Sequence, residues 1–261
     1  MNMELKPNVI EFIGPSGYKY VIREENGADE EIISNQAAAK NFMNVTNFIS
    51  AIVVSTDVTD NGKLTPSEAL ELPLLDRYVI LLKSRIFSLG DKVPFSFIWP
   101  GEQIPIHYEQ DLNELLLEDY SNATESEALE KPEAVPMYKD RELLRKINFK
   151  GYELNLSSGK KVKFDLATGV TEKYAAMLPE EQNTRNSELL ARNLHVEISG
   201  KWEKVEQFSL FSVKELAEIR SSIHEIDPLY SGLVDIENPK TGEKLKYPIF
   251  GAPRFFFLTE A

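Results

Sequence analysis

Cysteine is absent from the 261 residues. Its absence excludes disulfides, iron–sulfur clusters, thiolate zinc sites and cysteine nucleophiles together. Histidine is scarce. His107, His195 and His224 lie far apart in sequence, which argues against a histidine-rich metal centre. The patterns GxGxxG, GxxxxGK[ST] and GxSxG are also missing, so the sequence offers no phosphate-cradling loop and no nucleophile elbow. No long apolar run exists. The longest, Phe48 to Val54, contains Ser50 and is too short to cross a bilayer. The first residues, Met1-Asn2-Met3-Glu4-Leu5-Lys6, lack the basic-then-apolar order of a secretory signal. A soluble protein of a reducing cytoplasm is the expectation.

Positive charge is in short supply. Lys and Arg number 29 against 42 Asp and Glu, a net charge of −13. So acidic a chain is poorly suited to nucleic acid or to an anionic membrane, and protein partners are expected instead. Paired acids such as Glu24-Glu25, Glu30-Glu31 and Glu180-Glu181 sit in polar runs and read as solvated faces. Each histidine reads as structural or surface, with His195 placed in an amphipathic helix. No catalytic residue, cofactor or small-molecule substrate is evident.

Apolar residues make up 42% of the chain, enough for a core without staples. Within it lies a faint self-similarity. IEFIGPSGYKYVIREENG near the start is echoed by YELNLSSGKKVKFDLATG, with Ser16 on Ser158, Gly17 on Gly159 and Gly27 on Gly169 at an offset of 142. Both segments alternate apolar and polar residues about a Ser-Gly turn, the signature of a β-hairpin. Further on, Leu72 falls on Leu210 and Leu75 on Val213 at offset 138. Trp99-Pro100-Gly101-Glu102 resembles the knuckle from Asn238 to Glu243. The ordered matches suggest a tandem duplication of a hairpin–helix–helix–hairpin unit, an α+β fold with small antiparallel sheets. The expected division is a first repeat over 1–118, an acidic linker over 119–136 and a second repeat over 137–261.

Helix signals fit this scheme. Residues 30–54 carry one helical pattern. Thr65 and Glu68 form a capping box with Pro66 at the first helical position, and Ser212 with Glu215 forms another. Leu75, Tyr78, Val79, Leu82, Ile86 and Leu89 share one helical face, which Gly90 closes.

Two segments offer chemistry or docking. Asp57 to Glu68 matches much of an EF-hand loop, with Asp57, Thr59, Asn61 and Glu68 as oxygen donors for calcium. Thr59 is a poor ligand at its position, Pro66 falls where the exiting helix begins, and turn chemistry explains the same residues. At the other end, Phe255, Phe256 and Phe257 form an aromatic cluster. It reads either as a final strand buried on both faces or as an anchor for a partner, and Trp99 joins it as a candidate partner-binding residue.

Taken together, the Gly14-Pro15-Ser16-Gly17 turn, the Leu72-to-Arg85 segment with its Asp76-Arg77 pair and Arg85, the Ser88-Leu89-Gly90 end, and the Phe-Phe-Phe ending resemble the baseplate hub subunit family of T-even-type tailed phages. Members of that family also appear as tail or baseplate assembly proteins. Its pattern includes a Cys-Pro-x-Cys-Gly knuckle of metal-binding appearance. Here Trp99-Pro100-Gly101-Glu102 and Asn238-Pro239-Lys240-Thr241-Gly242 keep the turn residues and no thiol. The resemblance implies a non-enzymatic virion or assembly (chaperone-like) protein of a contractile tail. Its partners would be other tail or baseplate proteins, in the host cytoplasm during assembly or in the virion baseplate. Two alternatives stay open: a calcium-binding adaptor using residues 57–68, and an enzyme with dispersed active-site residues.

Overall fold

The Ser-Gly turns fold as the alternation predicts. In the computed structural model, which describes residues 8–116, 150–182, 184, 186–227, 232–251 and 253–257, strands β1 (Val9–Ile13) and β2 (Lys19–Arg23) form one antiparallel hairpin. Strands β6 (Tyr152–Asn155) and β7 (Lys161–Phe164) form another. The turns share one wiring. Gly14 N–H donates to Tyr18 O and Gly17 N–H to Gly14 O; Leu156 N–H donates to Lys160 O and Gly159 N–H to Leu156 O, all at 2.8 Å. Gly17 and Gly159 take φ of +86° and +87°, a conformation that favours glycine. The linker expected at 119–136 and the boundary at 137 lie outside the described residues.

After each hairpin comes a capped helix. Asn26 caps α1 (Gly27–Ser34) and Thr168 caps α6 (Gly169–Met177), again 142 apart. The pattern over 30–54 is not one helix. Asn35 ends α1 and caps α2 (Gln36–Lys40), and Phe42 at φ +54° separates α2 from α3 (Asn44–Ile52). The β-branched pair Val53-Val54 then leaves the helix as β3 (Val53–Thr56), which extends the first sheet by pairing with β2. In the second half α7 (Ser187–Ala191) leads into β8 (His195–Ile198) and β9 (Lys201–Lys204), giving sheet order β6-β7-β8-β9. His195 therefore lies in a strand and not in a helix. Four residues from His195 to Ile198 alternate around buried Val196, too short a run for either period to decide.

Each half carries one long helix on its sheet. The Thr65–Glu68 capping box opens α4 (Pro66–Leu70), and α5 (Leu74–Leu89) follows Pro73 and stops at Gly90, φ +90°. The Ser212–Glu215 box opens α8 (Val213–Ile226). The helix caps, Pro73 and Ser212, align at offset 139. The pairing of Leu72 with Leu210 and Leu75 with Val213 is thus one residue out, and Leu74 stands where Val213 does.

Two hairpins complete the architecture: β4 (Lys92–Phe97) with β5 (Ile106–Asp111), and β10 (Leu233–Glu237) with β11 (Lys244–Pro248). They stack on each other through Phe95 and Tyr247, 4.5 Å between ring centroids. The C-terminal hairpin consequently belongs to the first core. Val234, Ile236, Ile249 and Phe255 join Phe12, Ile22, Phe48 and Leu82 in one cluster, while the second core holds Val162, Phe164, Leu194, Ile219 and Ile223. The division at residue 137 does not follow the packing, because the apolar face of β10–β11 finds its complement on β4–β5. The Phe-rich end is a short helix, α9 (Pro253–Phe256), and not a strand. Proline cannot donate to a sheet ladder but fits a first helical turn.

The halves join cap to cap. Leu74 N–H donates to Ala167 O at 2.8 Å, Gly169 N–H donates to Leu72 O at 3.3 Å, and Pro73 bridges Thr168. Each helix thereby satisfies a first-turn N–H that has no acceptor inside its own helix. Leu75 enters the second core, and Arg77 reaches Glu172 at 3.4 Å.

Candidate functional site

The polar residues quoted for the family resemblance, Ser16, Asp76, Arg77, Arg85 and Ser88, each make a bond that holds the fold. Asp76 lies in the first turn of α5 and is fully buried. Its carboxylate accepts from Ser16 N–H (2.9 Å), the Ser16 hydroxyl and the Tyr20 hydroxyl (2.7 Å), which ties the Pro-Ser-Gly turn to the helix. Next to it, Arg77 donates to Ala69 O (2.8 Å) and Thr46 Oγ1 (3.2 Å). Its Nε has no partner among the described residues, and burial pulls its pKa down, opposed by Glu172. A buried guanidinium so arranged acts as a strut between the α4 turn, α3 and the second unit.

The far end of α5 is fastened the same way. Arg85 donates to Gly90 O (2.6 Å) and Lys92 O (3.2 Å), satisfying carbonyls where the helix gives way to β4. Burial lowers its pKa as well. Ser88 accepts from Glu25 N–H at 2.9 Å, and Ser84 donates to Glu25 Oε1 at 2.6 Å. Desolvation raises the Glu25 pKa, and the Ser84 bond opposes it. The second unit repeats this wiring with different residues. Ser158 donates to Glu215 Oε1 at 2.6 Å, and Ala167 N–H donates to Asp227 Oδ2 at 2.7 Å. Serine on acid at the start and a backbone amide on a side-chain oxygen at the end recur in both units. Arg192, also fully buried, joins Asp227 to Glu188.

Both knuckles are held by packing and by each other. Trp99 is buried, its Nε1 donates to the Tyr108 hydroxyl (2.8 Å), and that hydroxyl donates to Glu237 O (3.1 Å). Lys240 reaches Glu102 at 2.6 Å. Asn238 Oδ1 accepts from Lys240 N–H. One carboxylate already paired to a lysine and one amide bonded to backbone do not make a zinc ligand set, so the metal implied by the resemblance does not fit here.

Trp99 and Phe255 are 1% and 0% exposed, so both are core residues: of the two readings of the Phe cluster, burial holds at Phe255, though in a helix, and neither residue is a partner-facing anchor. Phe256 packs edge-on against Phe48, and Phe257 is half-buried against the same core. Among the apolar side chains that do face solvent are Ile98 and Ile104 at the β4–β5 tip, and Leu210 and Val213 at the start of α8. Sequence reasoning missed them because exposure depends on what the rest of the chain covers.

The candidate calcium donors point to separate tasks. Asp57 Oδ1 accepts from Lys19 N–H (2.7 Å). Thr59 Oγ1 donates to Lys63 O (2.8 Å), and Asn61 Oδ1 accepts from Lys63 N–H (2.9 Å). Glu68 binds Thr65 in the capping box, which lowers its pKa. The segment is a turn and a helix start rather than a converging oxygen cage. No group of three or more His, Asp or Glu able to hold a metal occurs among the described residues.

The histidines are dispersed. His107 pairs with Ser96 across β4–β5 at 2.8 Å on the exposed face, His195 Nδ1 meets Asn193 O at 2.6 Å, and His224 lies near the end of α8. Small hollows of mixed polar and apolar lining occur among the described residues. One of about 180 Å³ is lined by Glu71, Lys150, Asp165, Thr168 and Asn193, and one of about 80 Å³ by Glu188, Arg220, His224 and Asp227. Both are below the roughly 300 Å³ at which ligand clefts begin. No described helix is long and apolar enough to cross a membrane. No protein-family model, curated protein or solved structure matches the chain.

Proposed function

We propose that this chain works by binding other proteins, as a structural or chaperone-like component of a contractile-tail baseplate hub. One observation carries the reading. The residues that resemble the baseplate hub family, Ser16, Asp76, Arg85, Ser88 and Phe255 within the first unit and Arg77 between the first unit and the second, are all engaged in holding the fold. A shared pattern of that kind preserves a shape for partners to recognise, whereas a shared catalytic pattern would converge on a cleft. Ile98 and Ile104, 56% and 73% exposed at the β4–β5 tip, supply an apolar contact on that shape. The net charge of −13 favours basic partners and keeps the chain apart from nucleic acid.

Co-expression with tail proteins of a contractile phage tests this. The expected result is co-purification at a fixed stoichiometry, weakened by Ile98→Asp with Ile104→Asp. Recovery of the chain alone beside each of those proteins would overturn it.

A further inference from the structure

The cap-to-cap joint between the halves occurs once among the described residues, yet the parts for a second are present. At offset 139, Leu74 corresponds to Val213 and Pro73 to Ser212; at offset 142, Gly169 corresponds to Gly27 and Thr168 to Asn26. Leu74, whose N–H donates to Ala167 O of the second unit, is 7% exposed, whereas Val213 is 82% exposed. Leu210 beside it is 47% exposed. On the other side, Val9 is 49% exposed near the start of α1, where Asn26, Gly27 and Ala28 are exposed too.

The backbone groups match. In the chain, Leu74 N–H and Leu72 O are the groups bonded to Ala167 O and Gly169 N–H. Their counterparts are Val213 N–H and Phe211 O on α8, and Glu25 O and Gly27 N–H on α1. None of these four has a partner among the described residues. The side chains have changed in step. Leu75 and Leu166 share the second unit's apolar core, and their counterparts are Lys214 and Glu24. An apolar pair inside the chain thus becomes a charge pair of opposite sign.

We propose that a second copy of this chain docks here. Val213 N–H donates to Glu25 O of the next copy, whose Gly27 N–H donates to Phe211 O. Val213 and Leu210 are covered by the α1 start, and Lys214 lies against Glu24. The contact uses different surfaces on the two copies. It leaves one surface of each kind open in any pair, so association continues into a ring or a filament. The inference is independent of the baseplate reading, since it concerns the purified chain alone.

Sedimentation velocity on the full chain across a concentration series tests it. Val213→Glu places an acid in a helix first turn, where it is tolerated, and breaks the α8 surface. Gly27→Pro removes the N–H at a first helical position, where proline fits, and breaks the α1 surface. Gly27→Ala keeps the N–H and meets no atom within 4 Å. The wild type and Gly27→Ala should grow past the dimer with concentration, and Val213→Glu and Gly27→Pro should each sediment as monomers with unchanged circular dichroism. A mixture of the two monomeric variants should give a one-to-one dimer and nothing larger. A wild type that stays monomeric throughout overturns the proposal. So does a mixture that fails to dimerise, since that outcome means a symmetric patch or none.

Discussion

Ser16 and Asp76, sixty positions apart, are joined twice: the Ser16 backbone N–H and its hydroxyl both donate to one buried carboxylate. Tyr20 adds a third donor. Asp76→Ala strands all three donors in the interior and should destabilise by about 3 kcal/mol or more. Ser16→Ala removes one donor and should cost about 1 kcal/mol. Urea denaturation midpoints check both, and near-equal losses would contradict the assigned network.

Glu215 holds the matching place in the second unit, and its environment sets a pH window. The Ser158 hydroxyl, the Ser212 N–H and Lys160 hold its carboxyl at about 2, against an ordinary 4.5. A carboxyl depressed in the folded state lends stability above its unfolded pKa and loses it as pH falls toward the folded value. Stability should therefore decline between pH 4.5 and 2. Glu215→Gln should flatten that part of the wild-type curve, which acid titration followed by Trp fluorescence would reveal.

Two corresponding glycines should respond in opposite ways to alanine. At Gly169 a Cβ would sit 2.7 Å from Leu70 O and 2.8 Å from Arg77 Cζ, inside the joint between the units. Gly169→Ala should cost about 2 kcal/mol by overpacking. At Gly27 nothing lies within 4 Å. Gly27→Ala should gain about 0.5 kcal/mol by restricting the unfolded chain. Melting of the two variants side by side is the measurement.

The knuckles should be indifferent to chelators. Treatment with EDTA should leave the melting temperature unchanged, since Trp99, Tyr108, Glu102 and Lys240 hold the two tips. Trp99→Phe keeps most of the apolar bulk and loses the Nε1–Tyr108 bond, a cost of about 1 kcal/mol. A large EDTA effect would restore the metal reading.

What could be read from residues alone was whatever is decided within a few positions. Ser-Gly turns and the Thr65–Glu68 and Ser212–Glu215 boxes are local and fold as written, whereas α5 is buried on more than its apolar stripe, with Asp76, Arg77, Ile80, Leu81, Ser84 and Arg85 inside and Leu75 in the other core. His195 and Val53-Val54 are strand where the local pattern indicates helix, because short segments take the state that a neighbouring strand imposes. The destination of the C-terminal hairpin had no local signal, since it is fixed by which face Phe95 and Tyr247 share. Candidate site residues fared worst. Trp99 and Phe255 stand out in the sequence only by aromatic character, which core and interface have in common.

The return of the C-terminal hairpin to the first core also sets an order of events during synthesis. Leu156 to Ile223, with Leu75 from upstream, hold the residues of the second core, so it can close while the last strands are still being made. The first core, begun with Phe12, waits for Val234, Ile236, Ile249 and Phe255. The half that leaves the ribosome first is the half that finishes last, and until then the apolar face of β4–β5 stands open to any chaperone or partner that reaches it.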